Sequence, residues 1–216
     1  MKYNKEKLRI ERLMEGKLLD EKQTDVLQEA ICFGFDDREI RLMLDHYEHE
    51  EMELILHDLL NGFSLADIQT YANHKYTYEQ MQQIHSAMLQ ARREDCDISY
   101  LLDPGLTSHQ MYEIRLSLLL EPGILRIMAD RKFRPGQLRQ LRKAGELGLT
   151  TEEFKILATP AFTEAQMLQL RNAYAKGLSR QQVAMIADPR MDVDTMYRNV
   201  RMLVNRKRRG LLCERG

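Results

Sequence analysis

A pattern of side chains recurs every 27 to 30 residues along most of the chain, and it limits the possible fold more than any other feature. Each recurrence is marked by a Gln or by another polar residue in the same column, and the successive spacings are 28, 29, 30, 27, 29 and 29 residues. The column consists of Gln23, Glu51, Gln80, Gln110, Gln137, Gln166 and Thr195. A fixed period of this length is typical of repeat proteins, in which neighbouring units bury each other's apolar faces.

The unit over residues 163–191 shows the structure that each repeat predicts. Met167 and Leu170 belong to an apolar stripe with helical spacing that extends over about 13 residues. Gly177 favours a left-handed turn after this first helix, and Pro189 ends a shorter second helix. We therefore predict an all-α chain, a solenoid of about six and a half stacked helical hairpins. Its first helices should begin near residues 20, 48, 77, 107, 134, 163 and 192.

The Gln column has a structural explanation at the start of each first helix. The side chain of Thr163 can accept a hydrogen bond from the backbone of Gln166, and the Gln166 side chain can reach back to the cap. An apolar residue precedes each cap and can pack on the residue after the column, except in the first repeat, where that residue is Thr24. The residues that precede the caps are Leu19, Tyr47, Tyr76, Leu106, Phe133, Phe162 and Met191. We interpret the column as helix capping and core packing rather than as a ladder of ligand-binding groups.

The ends and the middle of the chain depart from the repeat. Residues 1–18 predict an N-terminal capping helix, and the last unit predicts one closing helix. The inward-facing residues of the capping helix should be Leu8, Ile10, Leu13 and Met14. An insertion around 92–97 and a truncation at 121–123 favour a bend or a flexible joint in this region. We expect three parts: the cap over 1–18, an acidic repeat half over 19–105 and a basic repeat half over 106–216.

The two halves carry opposite charge, although the whole chain has a formal net charge of −1. Residues 1–108 contain 12 basic and 22 acidic side chains, whereas residues 109–216 contain 20 basic and 11 acidic ones. Such asymmetry bears on partners and association rather than on fold. The acidic residues of 20–67 could face residues 126–143 of a second copy. We therefore expect a monomer, or at most a weak dimer that dissociates at high salt.

The sequence lacks the features that identify several classes of protein. The chain has no run of 18 apolar residues and no signal-peptide core, and its three cysteines lie far apart. We therefore expect a cytoplasmic protein in a reducing compartment, with no membrane span. Phosphate-binding loops, zinc-protease motifs and nucleophile elbows are also absent. We expect no enzymatic activity and no cofactor.

The histidines offer one candidate metal site. His49, Glu53 and His57 are spaced four residues apart, so they share one face of a helix. Two full turns are too long for one ion to reach all three side chains easily, and a zinc site needs further ligands. We expect no metal there. The remaining histidines, His46, His74, His85 and His109, are expected to be surface or interface residues.

The candidate binding residues are all basic and all belong to the second half. They are Arg115, Arg126, Arg131, Lys132, Arg134, Arg139, Arg142, Lys143, Arg171, Arg198, Arg201, Arg206, Lys207, Arg208 and Arg209. Arg115, Arg142 and Arg171 occupy the same position in successive repeats, which predicts an exposed ladder of arginines on one face. We expect replacement of exposed arginines such as Arg139, Arg142 and Arg171 to weaken partner binding while leaving stability almost unchanged.

The repeat resembles a pattern, Q-M-x-x-I-R-x-A…G-L…I-A-D-P, found in poorly characterised α-helical hairpin repeat proteins of mobile elements in Gram-positive anaerobes. The resemblance covers roughly residues 20–205 and is closest in 163–191. It implies no catalytic residues. It implies a plasmid, phage or conjugative-element setting, in which small proteins often bind host or invader nucleoprotein machinery, including CRISPR effectors.

Two hypotheses about function follow. In the first, the protein is a non-catalytic interaction protein whose basic half docks on a nucleoprotein or an acidic protein partner. An inhibitor of a host defence nuclease, such as an anti-CRISPR protein, would fit this description. In the second, the chain binds nucleic acid directly and with low specificity, through contacts to phosphates. The acidic first half counts against the second hypothesis, because it repels nucleic acid.

Overall fold

The chain folds into α-helices joined by short turns, as the repeat predicts. The structure is a computed structural model that describes residue 9 and residues 11–213. No β-strand occurs among these residues, so the expectation of an all-α protein is confirmed. The first helices of the seven repeats begin at Glu21, His49, Tyr78, Ser108, Pro135, Glu164 and Val193. Each start lies one residue after the position predicted from the capping pattern.

The chain divides into two compact units, and the first ends at Leu89. Its helices are α1 (Glu21–Phe33), α2 (Asp37–Met43), α3 (His49–Leu60), α4 (Leu65–Gln69) and most of α5 (Tyr78–Glu94). The first helices α1 and α3 pack against each other, and α2 and α4 contact α3. Of the expected capping helix over 1–18, Leu8 and Ile10 lie outside the described residues. Residues 11–14 are helical, and Leu13 is buried.

The second unit begins at Gln90. It contains a short 3₁₀ helix (Ile98–Leu101) and the helices α6 (Ser108–Arg115), α7 (Pro122–Met128), α8 (Pro135–Gly145), α9 (Thr151–Leu157), α10 (Glu164–Ala175), α11 (Arg180–Ala184) and α12 (Val193–Cys213). The first helices contact each other in series, α6 to α8 to α10 to α12, and the second helices α7, α9 and α11 do the same. In the third repeat, the insertion at 92–97 lengthens the first helix, and the 3₁₀ helix stands in place of a second one.

None of the helices in the described part of the chain combines the length and the apolar character that crossing a lipid bilayer requires.

The Gln column caps its own helices, as predicted, and also joins neighbouring repeats. In Gln110, Gln137 and Gln166 the Oε1 atom accepts a hydrogen bond from the backbone N–H of the cap residue, at 2.8, 2.7 and 2.7 Å. The Nε2 group of each donates to a carbonyl just before the next cap, in Phe133, Phe162 and Met191, at 2.7, 2.6 and 2.7 Å. In the first repeat, the Nε2 group of Gln23 donates a hydrogen bond to the Tyr47 carbonyl, at 2.7 Å.

The apolar residues before the caps supply much of the core. Tyr47, Tyr76, Leu106, Phe133 and Phe162 are all buried. The residues that follow the Gln column, including Met52, Met81, Met111, Leu138, Met167 and Met196, are almost completely inaccessible to solvent. Gly177 adopts a φ of 75° after α10, which confirms the expected left-handed turn. The local signals therefore set where each helix starts and which side of it is buried.

We expect Gln137→Ala to lower the free energy of unfolding by about 2–4 kcal/mol, because it leaves the Arg134 N–H and two carbonyls of the next repeat without partners. Gln182→Ala is the matched control. Gln182 completes the capping box of α11 by accepting from the Ser179 N–H, so its loss should cost less than about 1 kcal/mol. Equal losses in chemical denaturation would show that the bonds between repeats contribute little.

Candidate functional site

Several of the predicted binding residues are paired with acids one repeat away. Arg131 forms a two-pronged ion pair with Asp103. A side chain at Gly105 would collide with this guanidinium, so the glycine gives Arg131 the room to reach its partner. Arg139 contacts Glu164 at 2.5 Å. The hydrogen bonds from these arginines lower the pKa of Asp103 and of Glu164. These side chains therefore join consecutive repeats and are only partly available to a partner.

Arg142 is the clearest departure from the sequence-based expectation. It is not an exposed member of a ladder, because only 17% of its side chain is accessible to solvent. Its guanidinium bonds to Glu113 at 3.0 Å and to Glu146 at 2.6 Å, and the Glu113 side chain is only 10% accessible. Burial opposes the charge of Arg142, but the two carboxylates outweigh that effect and raise its pKa. The expectation that Arg142 is exposed is therefore wrong, and we expect its removal to cost stability.

The other two arginines of the expected ladder lie in different surroundings. Arg115 is half-buried, and its guanidinium carbon lies 5.4 Å from the centroid of the Tyr112 ring, within the range of a cation–π contact. Arg171 is also half-buried, and it has no ion pair among the described residues. The three arginines share a sequence position but do not share an environment.

Other basic side chains of this region point into solvent. Arg126, Arg134 and Lys143 are exposed, and within residues 11–213 no carboxylate lies at ion-pair distance from them. Lys132 is also exposed and lies 4.0 Å from Asp130. These four residues belong to the loops and helices around α7 and α8.

Helix α12 presents the most continuous basic surface of the second unit. Its outward face is formed by Arg198, Arg201, Met202, Asn205, Arg206 and Arg209, which are all exposed and have the spacing of a single helix face. We call this set the α12 basic face. Among its arginines, Arg198 bonds only to its own helix, to the Thr195 hydroxyl at 3.0 Å. The other three have no acidic partner in the part of the chain that the structure describes.

The remaining two basic residues of α12 flank this face. Lys207 donates a hydrogen bond to the carbonyl of Gly177, which ties the helix to the turn after α10. Arg208 is exposed. The apolar side chains of Tyr197 and Met202 are 48% and 44% accessible on the same helix. The α12 basic face thus combines unpaired guanidinium groups with exposed apolar surface.

In the first compact unit, His49, Glu53 and His57 do not form a group of converging ligand atoms among the described residues. One ring nitrogen of His49 lies 2.9 Å from a Glu50 oxygen, and the other lies 3.3 Å from the Lys22 ammonium. His57 instead lies beside His85, with the ring centroids 5.2 Å apart and the planes at 71°. A ligand atom from each of His57, Asp58 and His85 lies within 4.8 Å of the others.

Asp58 connects this cluster to the core. Its side chain is completely buried. One carboxylate oxygen accepts a hydrogen bond from the Tyr71 hydroxyl at 2.6 Å, and the other lies 2.6 Å from Nδ1 of His85. Burial and the bond to Asp58 raise the pKa of Tyr71, so its hydroxyl stays protonated and donates. His85 was expected at the surface or in an interface, but its side chain is only 13% exposed.

The sequence contains a signal for this cluster. Asp58 falls seven residues after the Gln column, where five of the other repeats have the small residues Ala30, Ala87, Ser117, Ala144 and Ala173. These small residues are buried. A carboxylate at a buried position needs a hydrogen-bonding or charged partner. The exception at Asp58 therefore predicts a polar partner on a neighbouring helix, although it does not identify His85.

We expect Arg142→Ala to lower the free energy of unfolding by about 3 kcal/mol, because it leaves the buried Glu113 carboxylate without its partner. Arg139→Ala is the matched control. It removes an arginine of the same helix whose ion pair is half-exposed, and it should leave the unfolding midpoint nearly unchanged. A midpoint that is equally insensitive to both substitutions would contradict a stabilising role for the Arg142–Glu113 pair.

Comparison of the chain with protein-family models, with curated proteins and with solved structures found no match. What these surfaces can bind therefore follows from their own charge, exposure and hydrogen bonding.

Proposed function

We propose that the protein is a non-catalytic helical-repeat interaction protein, a solenoid of about six and a half stacked hairpins, that docks on a nucleoprotein or an acidic protein partner through the α12 basic face. One observation carries this proposal. Arg131, Arg139 and Arg142 are paired with acids of neighbouring repeats, whereas the guanidinium groups of Arg201, Arg206 and Arg209 project from the last helix.

The charge of α12 supports an acidic partner. Six of the twelve residues from Arg198 to Arg209 are basic, and Asp194 is the only acid within Val193–Cys213. A favourable position for cations near a helix C-terminus explains one or two of these charges but not six. A face of this kind attracts polyanions and increases the rate at which they associate.

The composition of the face favours a protein surface over bare nucleic acid. Met202 lies among the arginines, and Tyr197 is exposed one residue before Arg198. Arg, Tyr and Met are enriched at the centres of protein interfaces. The strongly acidic first half of the chain would also repel naked nucleic acid. We therefore place direct, low-specificity binding of nucleic acid second, with the four consecutive basic residues 206–209 as the feature that supports it.

The resemblance to repeat proteins of mobile elements suggests one class of partner. A nuclease that carries a guide or target nucleic acid presents both acidic protein surface and phosphates. On this proposal the protein would bind such a host defence nuclease and inhibit it. A cleavage assay with and without the protein tests this narrower form of the proposal, and unchanged cleavage by a nuclease that the protein binds would contradict it.

We expect the triple variant Arg201→Ala, Arg206→Ala, Arg209→Ala to lose the partners that the unaltered chain captures from a host lysate, while its helicity and melting stay unchanged. Exposed substitutions of this kind have small effects on stability. The matched control removes three exposed basic residues from the first unit, Arg38, Arg41 and Lys75, and should retain capture. Capture should also weaken as the salt concentration rises. Equal capture by all three proteins, or indifference to salt, would refute the proposed surface.

Nuclease treatment of the lysate separates the two hypotheses. A protein partner should survive the treatment, whereas a direct contact with nucleic acid should not. With a short DNA duplex as the probe, direct binding predicts that the triple variant reduces the slope of log K against log salt by about 3, one for each lost phosphate contact. No measurable binding of the duplex, together with capture that resists nuclease, would exclude the alternative.

A further inference from the structure

The geometry points to a site for a divalent transition-metal ion of the zinc class in the first unit, with the imidazoles of His57 and His85 as ligands and Asp58 as the carboxylate that orients His85. This site is independent of the α12 basic face and goes beyond the proposed function. It also departs from the expectation of no metal site. The second imidazole beside His57 belongs to His85 on α5, and not to His49 on the same helix as His57.

The buried side of the site fixes the orientation of one ligand. The Asp58 carboxylate has no contact with solvent, and the Tyr71 hydroxyl occupies one of its oxygens. His85 approaches the other oxygen with Nδ1, at 2.6 Å. A carboxylate partner keeps the proton on Nδ1, so the lone pair of the ring lies on Nε2, at the opposite edge of the imidazole. This carboxylate–histidine arrangement is the one that commonly supports metal-bound histidines in proteins.

The second imidazole lies where a shared ion would place it. The ring centroids of His57 and His85 are 5.2 Å apart, and the rings meet nearly edge to face. Two imidazoles bound to one tetrahedral zinc ion, with Zn–N distances of about 2.0–2.1 Å, have ring centroids roughly 5 Å apart. His57 is exposed, and its Nδ1 lies 3.0 Å from the amide nitrogen of Asn61. The observed separation of the ring centroids therefore matches that of two imidazoles bound to one ion.

The outer side of the site is open to solvent. His57 and His85 line a shallow pocket of about 470 Å³ together with Glu50, Glu53, Gln82 and Ser86. Water can fill the remaining coordination positions, and the two glutamates provide negative charge near an incoming cation. The pocket thus gives the ion a path to the ligands, which a metal site requires.

A purely structural role does not explain the whole cluster. A buried Asp58 needs hydrogen-bond donors, and Tyr71 and His85 supply them. That requirement is met without His57, yet His57 lies beside His85, at the mouth of the same pocket. The presence of the second imidazole at the separation of a shared ion favours coordination over simple neutralisation of the carboxylate.

The test is a titration of the full chain, freed of metal by chelator and free of any histidine tag, with Zn²⁺ alone. We expect one Zn²⁺ per chain by calorimetry, and a melting temperature that rises with Zn²⁺ and returns on addition of chelator, because an ion bound only by the folded state stabilises it. His57→Ala changes an exposed ligand and should fold normally, and it should weaken Zn²⁺ binding by at least about tenfold.

Two further variants complete the test. Asp58→Asn removes the carboxylate that orients His85, and His49→Ala is the control. Asp58→Asn should weaken Zn²⁺ binding by about 10–100-fold, the usual effect of losing a carboxylate behind a metal-bound histidine. His49→Ala should bind Zn²⁺ as the unaltered chain does, because His49 faces Lys22 and Glu50. If Asp58→Asn does not fold, His57→Ala decides the matter. No Zn²⁺ bound at micromolar concentrations, or Zn²⁺ bound equally well by His57→Ala, would overturn the site.

Discussion

The hydrogen bond from the Gln side chain to the next repeat is the interaction on which the rest of the architecture depends. One amide group satisfies the N–H at its own helix cap and carbonyls of the following unit, as Gln137 does with Arg134, Pro160 and Phe162. An amide suits this position because it has a donor and an acceptor on the same rigid group. Since these groups are buried or partly buried, each pairing that is lost would leave polar backbone atoms without partners. The bond therefore fixes the register between the consecutive repeats that it joins.

The register in turn determines which side chains meet. The pairs Arg131–Asp103, Arg142–Glu113 and His85–Asp58 join residues that are 28, 29 and 27 positions apart, about one repeat in each case. A side chain that departs from the repeat pattern in one repeat therefore lies beside the equivalent region of the next repeat. Where the repeat has a small residue or an apolar one, neighbouring helices simply pack. Where it has Asp58 or Glu113, a buried carboxylate is placed opposite a cationic or imidazole group, and a specific polar cluster forms.

Much of the fold could be predicted from the sequence because its signals are local. Caps such as Thr163 with Gln166, the apolar residues before them and the glycine at 177 act within a single unit, and the helices begin where these signals place them. The environment of Arg142 and the meeting of His57 with His85 depend on the neighbouring helix, so periodicity alone could not supply them. The same limit explains why Arg115, Arg142 and Arg171, equivalent in sequence, differ in their contacts.

The double role of the Gln side chain has a consequence for how such a chain can change in length. Each junction in the second unit uses the same donor and the same pair of acceptor carbonyls, for example Gln110 with Arg131 and Phe133, and Gln166 with Pro189 and Met191. A duplicated segment that begins just before one cap and ends just before the next would therefore find a complementary junction on both sides. Recombination could add or delete whole repeats without disturbing the residues of α12. The number of repeats and the chemistry of the last helix are thus free to evolve separately.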